Sequence, residues 1–259
     1  MLLTVDIGNT NVVLGLFDDA GRNQGDLRVG TRRDSTRGEI SMVVAHLCRH
    51  LEGGERGVTR TLLCSVVPSL TRTFSEYVRD ELGHEPIVMS GEMDLGLPLA
   101  IDDPREVGAD RIANAIAARD LVGSPAIVVD LGTATNFDCV DAEGRYVGGV
   151  IAPGVETSAE DLFRRAARLT KVDFSFPERA IGRNTRDCLR SGILHGAVGM
   201  IDSLVREIRG ELGAEATTIA TGGLAPLVGP RCETIDRVEV GLTLHGLLVV
   251  DRQLRGISA

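Results

Sequence analysis

The stretch LLTVDIGNTN, residues 2–11, decides the fold, because a close copy of it, AIVVDLGTATN, returns at residues 126–136. In each copy an apolar strand ends in an Asp-x-Gly turn and a second strand follows. The second strand then ends in a turn that contains Asp and Gly, at residues 18–22 and 141–145. Short apolar runs bounded by such turns are typical of strands joined in hairpins. A single Asp-x-Gly turn is common, but two copies in the same order predict a duplicated domain.

The rest of the chain alternates short buried strands with amphipathic helices, which indicates mixed α/β layers and not a purely parallel sheet. The predicted strands are residues 27–31, 62–67, 87–89, 146–151 and 218–221. The predicted helices are residues 70–82, 108–122, 157–169, 186–212 and 242–254. We therefore expect an N-terminal domain at residues 1–121 and a C-terminal domain at residues 122–259. The sequence leaves open whether the last helix packs on its own domain or on the first.

Composition restricts the function class. The chain has 28 Lys and Arg against 37 Asp and Glu, a net charge of -9, which opposes binding to a phosphate backbone. Aromatic residues are 3% of the chain and Trp is absent, so base-stacking surfaces are not expected. No apolar stretch approaches the roughly 18 residues of a membrane span, and the N-terminus lacks the basic segment of a signal peptide. Five widely spaced cysteines indicate buried thiols in a reducing compartment. We expect a cytoplasmic protein.

The two Asp-x-Gly turns are the first candidates for chemistry. Glycine lets a ligand approach the backbone, and turn N–H groups with Asn or Thr side chains can hold phosphate oxygens. Asp6 and Asp130 offer hard oxygen ligands for a cation that accompanies a polyphosphate. Lys171 is the single lysine, so a Gly-Lys-Ser/Thr phosphate loop is excluded. The alternative is that both carboxylates only cap their turns.

Two further segments have both a structural and a functional interpretation. The pair Gly222-Gly223 after a buried strand can let a nucleoside lie against the backbone, or can simply form a tight turn. Asp110 lies at the start of a predicted helix, where the helix dipole favours a carboxylate for structural reasons alone. It could equally accept a proton from a substrate hydroxyl, with Arg111 binding an anionic group beside it. The residues alone leave both interpretations open.

These turns belong to a longer ordered series, at residues 6–11, 108–111, 130–135, 182–185 and 221–223. The series extends over essentially the whole chain and resembles the type III pantothenate kinases, within the superfamily of acetate and sugar kinases, Hsp70 and actin. The resemblance implies two actin-like (ribonuclease H-like) domains with mixed sheets flanked by helices and a central cleft between them. It also implies a homodimer that phosphorylates pantothenate to 4'-phosphopantothenate with ATP and Mg²⁺, the first step of coenzyme A biosynthesis.

The resemblance also implies roles for single residues. Asp110 matches the catalytic proton acceptor, and Asp130 matches the holder of a monovalent cation such as K⁺ or NH₄⁺. The implied ATP-binding residues are Asp6, Ile7, Gly8, Asn9, Thr10, Asn11, Val12, Val13 and Thr133. The implied pantothenate-binding residues are Gly108, Ala109, Asp110, Arg111 and Thr185. Thr185 is expected to act from the neighbouring subunit's side of the dimer contact.

The chain departs from the family pattern at two positions. Asn136 replaces a common threonine, which we expect to be mild. Ile101 replaces a family tyrosine that contacts pantothenate, which removes a hydrogen-bond donor and about 0.5–1.5 kcal/mol of binding. Ile101 also motivates an alternative, a catalytically silent nucleotide-binding relative with a regulatory or accessory role. A kinase of another small hydroxylated substrate is a third possibility.

Overall fold

The structure is a computed structural model that describes residues 1–51, 53–166, 169–213 and 215–257. Its chain forms two compact units. The first unit contains Met1–Pro98, Asp102–Ala117 and the chain from Leu242 on, and the second contains Leu99–Ile101 and Ala118–Gly241. The helix at the C-terminal end therefore belongs to the first unit. The boundary at residues 121 and 122 stays a prediction.

The first unit is built on a five-stranded mixed sheet with the strand order β3-β2-β1-β4-β5. The strands β1, β2 and β3 form antiparallel pairs, whereas β4 and β5 add in parallel on the other side of β1. The strand bounds are β1 Leu2–Ile7, β2 Asn11–Phe17, β3 Asn23–Gly30, β4 Arg60–Ser65 and β5 Ile87–Val88. This sheet begins with the hairpins that the first copy predicts.

The second unit repeats that sheet with the order β10-β9-β6-β7-β8. Its strands are β6 Ala126–Leu131, β7 Ala134–Val140, β8 Tyr146–Pro153, β9 Thr217–Thr221 and β10 Arg237–Val238. The burial pattern along β6 equals that along β1, and the pattern along β7 equals that along β2. A register shift also interrupts the last pair of β2 with β3 and of β7 with β8. The predicted duplication and the mixed α/β class are confirmed.

Helices connect and cover the strands. Their bounds are α1 Arg37–Cys48, α2 Pro68–Tyr77, α3 Ala109–Val122, α4 Val155–Arg165, α5 Thr185–Leu212, α6 Ala225–Val228 and α7 Leu242–Leu254. A π-helical turn, Val78–Leu82, extends α2. Within the described ranges, no helix is long and apolar enough to cross a membrane.

The predicted elements mostly agree in type with the structure and differ from it at their ends. The predicted helix at 157–169 begins at Val155 and ends at Arg165, and its positions 167 and 168 lie outside the described residues. Helix α1 was missing from the predicted elements. Its start carries a capping box, in which Thr36 accepts from the Glu39 N–H and the Glu39 carboxylate accepts from the Thr36 N–H. That Thr-x-x-Glu pattern is the signal that could have revealed the helix.

Each unit has its own hydrophobic core. In the first, β1, β2 and β4 pack against α1 and α2, with Tyr77 and Phe74 among the buried side chains. In the second, β6, β7 and β9 pack against α5, with Phe137 at the centre. Burial of such large apolar side chains contributes about 1.5–3 kcal/mol each. The two Asp-x-Gly turns lie at the ends of the most buried strands, β1 and β6, so each turn extends from a rigid support.

Candidate functional site

The first turn, residues 8–11, is a compact loop whose backbone is held from two sides. The N–H of Gly8 donates to the carbonyl oxygen of Asn11 at 2.9 Å. Thr31, just after β3, donates from its hydroxyl to the Gly8 carbonyl at 2.7 Å and from its N–H to the Thr10 carbonyl at 2.9 Å. Asn9 and Thr10 are exposed. The turn is therefore fixed from behind while its outer face is open to a ligand.

Asp6 is the last residue but one of β1, just before this loop. In the sheet it lies opposite Val13 on β2 and Cys64 on β4. The Cys64 thiol is fully buried, and burial raises its pKa well above the ordinary value, with further contributions from the negative charges of Asp6 and Asp110. The negative charges of both carboxylates thus lie within electrostatic range of one buried thiol. The structure brings Asp6 and Asp110 together although 104 positions separate them in the sequence.

Asp110 lies in the first turn of α3. Its Oδ1 accepts from the N–H of Arg111 at 2.9 Å. Gly108 makes this arrangement possible, since a side chain at that position would collide with Oδ1 of Asp110. The N–H groups of a helix start stabilise a nearby negative charge. The structure therefore gives Asp110 a fixed orientation at a helix N-terminus.

The second turn, between β6 and β7, has its own support. The N–H of Gly132 donates to the carbonyl oxygen of Ala134 at 3.0 Å. The Thr157 hydroxyl on α4 donates to the Thr133 carbonyl at 2.7 Å. Gly154 allows the chain after β8 to pass close to the backbone of this turn, because a Cβ there would lie 2.6 Å from the carbonyl carbon of Thr133. In each unit, a threonine that follows the third strand along the chain thus holds the turn: Thr31 after β3 and Thr157 after β8.

Asp130, at the end of β6, is surrounded by glycines of the second unit. It lies opposite Asn136 on β7 and Thr221 on β9. Gly222 has a left-handed φ of +90°, and a Cβ there would lie 2.5 Å from Oδ1 of Asp130. A side chain larger than hydrogen would crowd the carboxylate. The Gly222 turn is therefore required for close packing around Asp130, which is more than a generic strand-to-helix turn needs.

Thr185 and Ile101 lie in other parts of the second unit. Thr185 is the exposed first residue of α5, next to Asn184, whose side chain accepts from the Asp187 N–H at 2.9 Å. The short segment that contains Ile101 runs beside β8, where the Ala100 N–H donates to the Tyr146 carbonyl at 2.8 Å. The roles that the resemblance implies for these residues stay predictions.

Asp130 offers a carboxylate, which is an oxygen ligand that suits a hard cation. Carboxylate and backbone carbonyl oxygens are the ligands that K⁺, Mg²⁺ and similar ions prefer. Among the described residues, no group of three or more His, Cys, Asp or Glu side chains could hold a metal ion. A cation at Asp130 would thus share one carboxylate with backbone or substrate oxygens.

Sequence reasoning missed the groups that hold the turns. Thr31, Thr157 and Arg33 were not predicted, although Arg33 donates to the Asn9 side-chain oxygen at 3.2 Å. The hairpin register could have pointed to Thr31, because the residue after the third strand lies opposite the turn. The sequence also did not show which predicted ATP-binding residues would bind through the side chain and which through the backbone. Ile7 and Val12 are 0% and 4% exposed in the core, so a nucleotide could reach only their backbone.

Comparison with known proteins identifies relatives along the whole chain. A family model described as type III pantothenate kinase matches residues 2–207. A type III pantothenate kinase from Thermomicrobium roseum is 49% identical over 263 residues, covering 100% of both chains. One from Moorella thermoacetica is 43% identical over 251 residues, covering 96% of this chain and 98% of the relative.

Solved structures bear on the fold. The activator of 2-hydroxyisocaproyl-CoA dehydratase from Clostridium difficile, with bound ADPNP, aligns with a TM-score of 0.60 at 11% identity. The alignment covers 100% of this chain and 98% of that one. An identity this low shows the fold alone. Together with the duplicated sheets, it confirms the expected actin-like class.

Proposed function

The chain belongs to the type III pantothenate kinase family, and from this membership we propose which residues carry out the phosphorylation of pantothenate by ATP. The enzyme transfers the γ-phosphoryl group of ATP, bound with a divalent cation, to pantothenate, in the synthesis of coenzyme A. The attacking hydroxyl oxygen forms a bond to phosphorus while the bond to the β,γ-bridging oxygen breaks. ADP leaves, and the hydroxyl proton must pass to a base.

Asp110 is the base in this proposal. The observation that carries it is the position of the carboxylate, fixed at the start of α3 by the Arg111 N–H and close to the same buried thiol as Asp6. Oδ1 is engaged with the helix, so we assign proton acceptance to Oδ2. Orientation of the hydroxyl toward phosphorus and removal of its proton both lower the barrier. Without this group the hydroxyl would attack as a poor nucleophile.

Arg111 supplies the complementary charge for the acceptor. Pantothenate is a carboxylate, and a guanidinium can bind such a group through two parallel hydrogen bonds. The Arg111 N–H already orients Asp110, so one residue would couple the position of the base to recognition of the substrate. Gly108 and Ala109 leave room for the substrate at the helix start. We assign Thr185 to the same substrate, on the basis of the family resemblance.

The two turns supply contacts to ATP. We assign phosphate contacts to the backbone N–H groups and polar side chains of residues 8–11 and to Thr133. The support is the outward-facing, externally braced backbone of both loops. Preorganised N–H groups stabilise the charge that develops on phosphoryl oxygens without further rearrangement. Ile7, Val12 and Val13 would contribute through their backbone.

We assign a monovalent cation, K⁺ or NH₄⁺, to Asp130. The support is the carboxylate at the end of β6, which the Gly222 backbone approaches closely without a side chain. When bound, the ion would supply positive charge that neutralises the phosphate groups. Asp130 itself holds the ion, and the Gly132 and Gly222 positions keep other side chains away from it.

The central test is Asp110→Asn, because the amide keeps the shape but cannot accept the proton. ADP release is measured with a coupled assay, with and without pantothenate, in K⁺ and in Na⁺ buffer. We expect pantothenate-dependent turnover to fall by about 10²–10⁴-fold, the range that general base catalysis contributes. Glu106→Gln is the matched control, since it removes one exposed carboxylate four positions away.

Each outcome of this assay has a distinct meaning. Near-normal turnover of Asp110→Asn would remove Asp110 from the mechanism. No pantothenate-dependent ADP release by the unmodified protein would favour the silent relative, for which Ile101 is the motivation. ADP release with other alcohols or sugars, and not with pantothenate, would favour another substrate. Equal turnover in K⁺ and Na⁺ would overturn the assignment of a K⁺-type ion to Asp130.

We further propose that two chains associate through helix α5. Its surface next to α4 forms an open groove of about 330 Å³, lined by apolar side chains such as Leu162, Leu189 and Ile193. Gly192 and Gly196 on the same surface have open space above them, which permits close approach of a second helix. The support is thus an apolar surface on the helix that begins at Thr185.

Light scattering tests this association. We expect the mass of two chains for the unmodified protein and of one chain for Gly196→Arg. Gly210→Arg, on the same helix but outside the groove, should keep the mass of two. A single-chain mass for the unmodified protein would overturn the proposal.

We also propose that the enzyme acts in the cytoplasm. The five cysteines are free thiols, four of them buried, as expected in a reducing compartment. Fractionation of cells that express the tagged protein tests this, with activity expected in the cytoplasmic fraction.

A further inference from the structure

Helix α3, which carries Asp110, is braced from one side by the C-terminal helix α7. The residues in contact belong to the same unit, which contains α3 up to Ala117, although they lie 129 to 133 positions apart. The Thr243 hydroxyl donates to the side-chain oxygen of Asn114 at 2.8 Å, and Asn114 is 1% exposed. One helical turn along α7, Gly246 faces the backbone of Ala113.

Gly246 makes the closest approach between these helices possible. A Cβ built on it would lie 2.6 Å from the Ala113 carbonyl carbon and 3.0 Å from the Ala113 Cα. These neighbours are backbone atoms of a helix, which cannot rotate away as the end of a flexible side chain can. The Ala113 carbonyl oxygen lies nearer still. The helices α3 and α7 would therefore have to separate by more than the roughly 0.8 Å that an ordinary contact of 3.4 Å with the carbonyl carbon requires.

Both contact points lie on the face of α3 that also carries Asp110. Ala113 and Asn114 follow Asp110 by three and four positions, and such positions are neighbours along one side of an α-helix. Displacement of α3 at Ala113 therefore moves the carboxylate with it. The Asp110 side chain accepts a hydrogen bond from the next residue of the same helix, so its place in the unit follows that of α3.

The other end of α7 is anchored to the sheet, so the helix can serve as a fixed support. Asp251, 3% exposed, accepts from Nε of Arg60 on β4 at 3.1 Å. Arg60 also donates to Asp19 at 3.1 Å, and Arg252 donates to the Ala20 carbonyl at 3.1 Å. These bonds tie α7 to β4 and to the β2–β3 turn. The brace therefore reaches from the sheet that supports Asp6 to the helix that supports Asp110.

From this arrangement we infer that Thr243 and Gly246 are positioning residues, which hold the Asp110 carboxylate at the distance from the first turn that phosphoryl transfer requires. The inference rests on the proposed role of Asp110. Proton transfer and nucleophilic attack depend steeply on geometry, and a misplacement of about 1 Å can lower the rate by about 10²-fold. The shift of more than about 0.8 Å that Gly246→Ala imposes is of this size.

The test compares Gly246→Ala, Thr243→Val and Thr243→Ser with the unmodified enzyme. We expect kcat to fall by about 10–100-fold in Gly246→Ala and by about 2–10-fold in Thr243→Val. Thr243→Ser keeps the hydroxyl and should restore kcat. The KM for ATP should stay within about twofold in all three, because Thr243 and Gly246 contact α3, whereas Thr31 holds the first turn. Gly210→Ala is the control, an alanine placed in a helix with open space around it.

A double-mutant measurement separates positioning from a general loss of stability. If Gly246 acts through Asp110, Gly246→Ala should lower single-turnover phosphorylation much less in the Asp110→Asn background than in the unmodified enzyme. Equal fold-losses in both backgrounds would show a structural role and overturn the inference. Full kcat of Gly246→Ala, with an inactive Asp110→Asn, would overturn the inference and leave the proposed function intact. An active Asp110→Asn would instead overturn the proposed function itself.

Discussion

The hydroxyl of Thr31 offers a sharp test of how the first turn binds ATP. It donates to the Gly8 carbonyl at 2.7 Å from a partly buried position, while the Thr31 N–H separately holds Thr10. The change Thr31→Val keeps the branched shape and the backbone bond but removes the hydroxyl. The Gly8 carbonyl then loses this donor, and the turn loses one of its fixed points.

The magnitude follows from the single hydrogen bond that is lost. An intramolecular hydrogen bond contributes about 0.5–1.5 kcal/mol net. If all of it is expressed in nucleotide binding, the KM for ATP rises by about 2–12-fold, since each 1.4 kcal/mol is a factor of ten. The same free energy lowers the melting temperature by about 1–6 °C in a protein of this size. We expect kcat to change little, because Asp110 keeps its place.

The assay is coupled ADP release at saturating pantothenate with ATP varied, together with a thermal melt. Thr157→Val is the matched variant in the second unit, where the hydroxyl holds the Thr133 carbonyl at 2.7 Å. Thr73→Val is the control, since its hydroxyl donates to the Ser69 carbonyl within α2 at 3.1 Å. An unchanged KM for ATP in both turn variants, with melting temperatures lowered as in the control, would refute the phosphate-binding role of the braced turns.

Three further changes test other parts of the chain. Asp202→Ala should lower the free energy of unfolding by about 1–3 kcal/mol in urea titrations, because the N–H groups of Glu233 and Thr234 lose their acceptor; Asp202→Asn should lose less. Burial, with a smaller contribution from Asp202, raises the pKa of the Cys232 thiol to about 12 from 9.0. Between pH 9.0 and about 12 the folded thiol keeps a proton that the unfolded chain loses. The contribution of Cys232 to the free energy of unfolding is therefore fully present below pH 9.0 and falls by at most about 1.4 kcal/mol per pH unit toward pH 12. Cys232→Ala should reduce that decline, which urea titrations across this pH range would measure. Ile101→Tyr should lower the KM for pantothenate by about 2–12-fold, and an unchanged KM would mean that the family hydroxyl has no role here.

Helices α5 and α7 show why the bounds of an element could be predicted from the sequence, whereas its packing partner could not. Helix α5 was predicted almost to the residue, because Asn184 caps its start and Gly213 ends it in a left-handed conformation. Such start and stop signals are local. The partner of α7 could not be predicted in that way. The spacing of its apolar residues predicts a buried helix, but it does not indicate which of the two sheets the helix covers.

By itself the sequence determined the two hairpins, the glycine turns that end β1 and β6, and the helix that begins beside Asp110. These features depend on alternation, helical periodicity and turn residues, all of which act over a few positions. Tertiary structure alone decided that Asp6 and Asp110 lie within electrostatic range of the same buried thiol, that Thr31 holds Gly8, and that the last helix joins the first unit. The physical reason is that each of these depends on packing between residues more than 20 positions apart, where side-chain volume and hydrogen-bond geometry choose the partner.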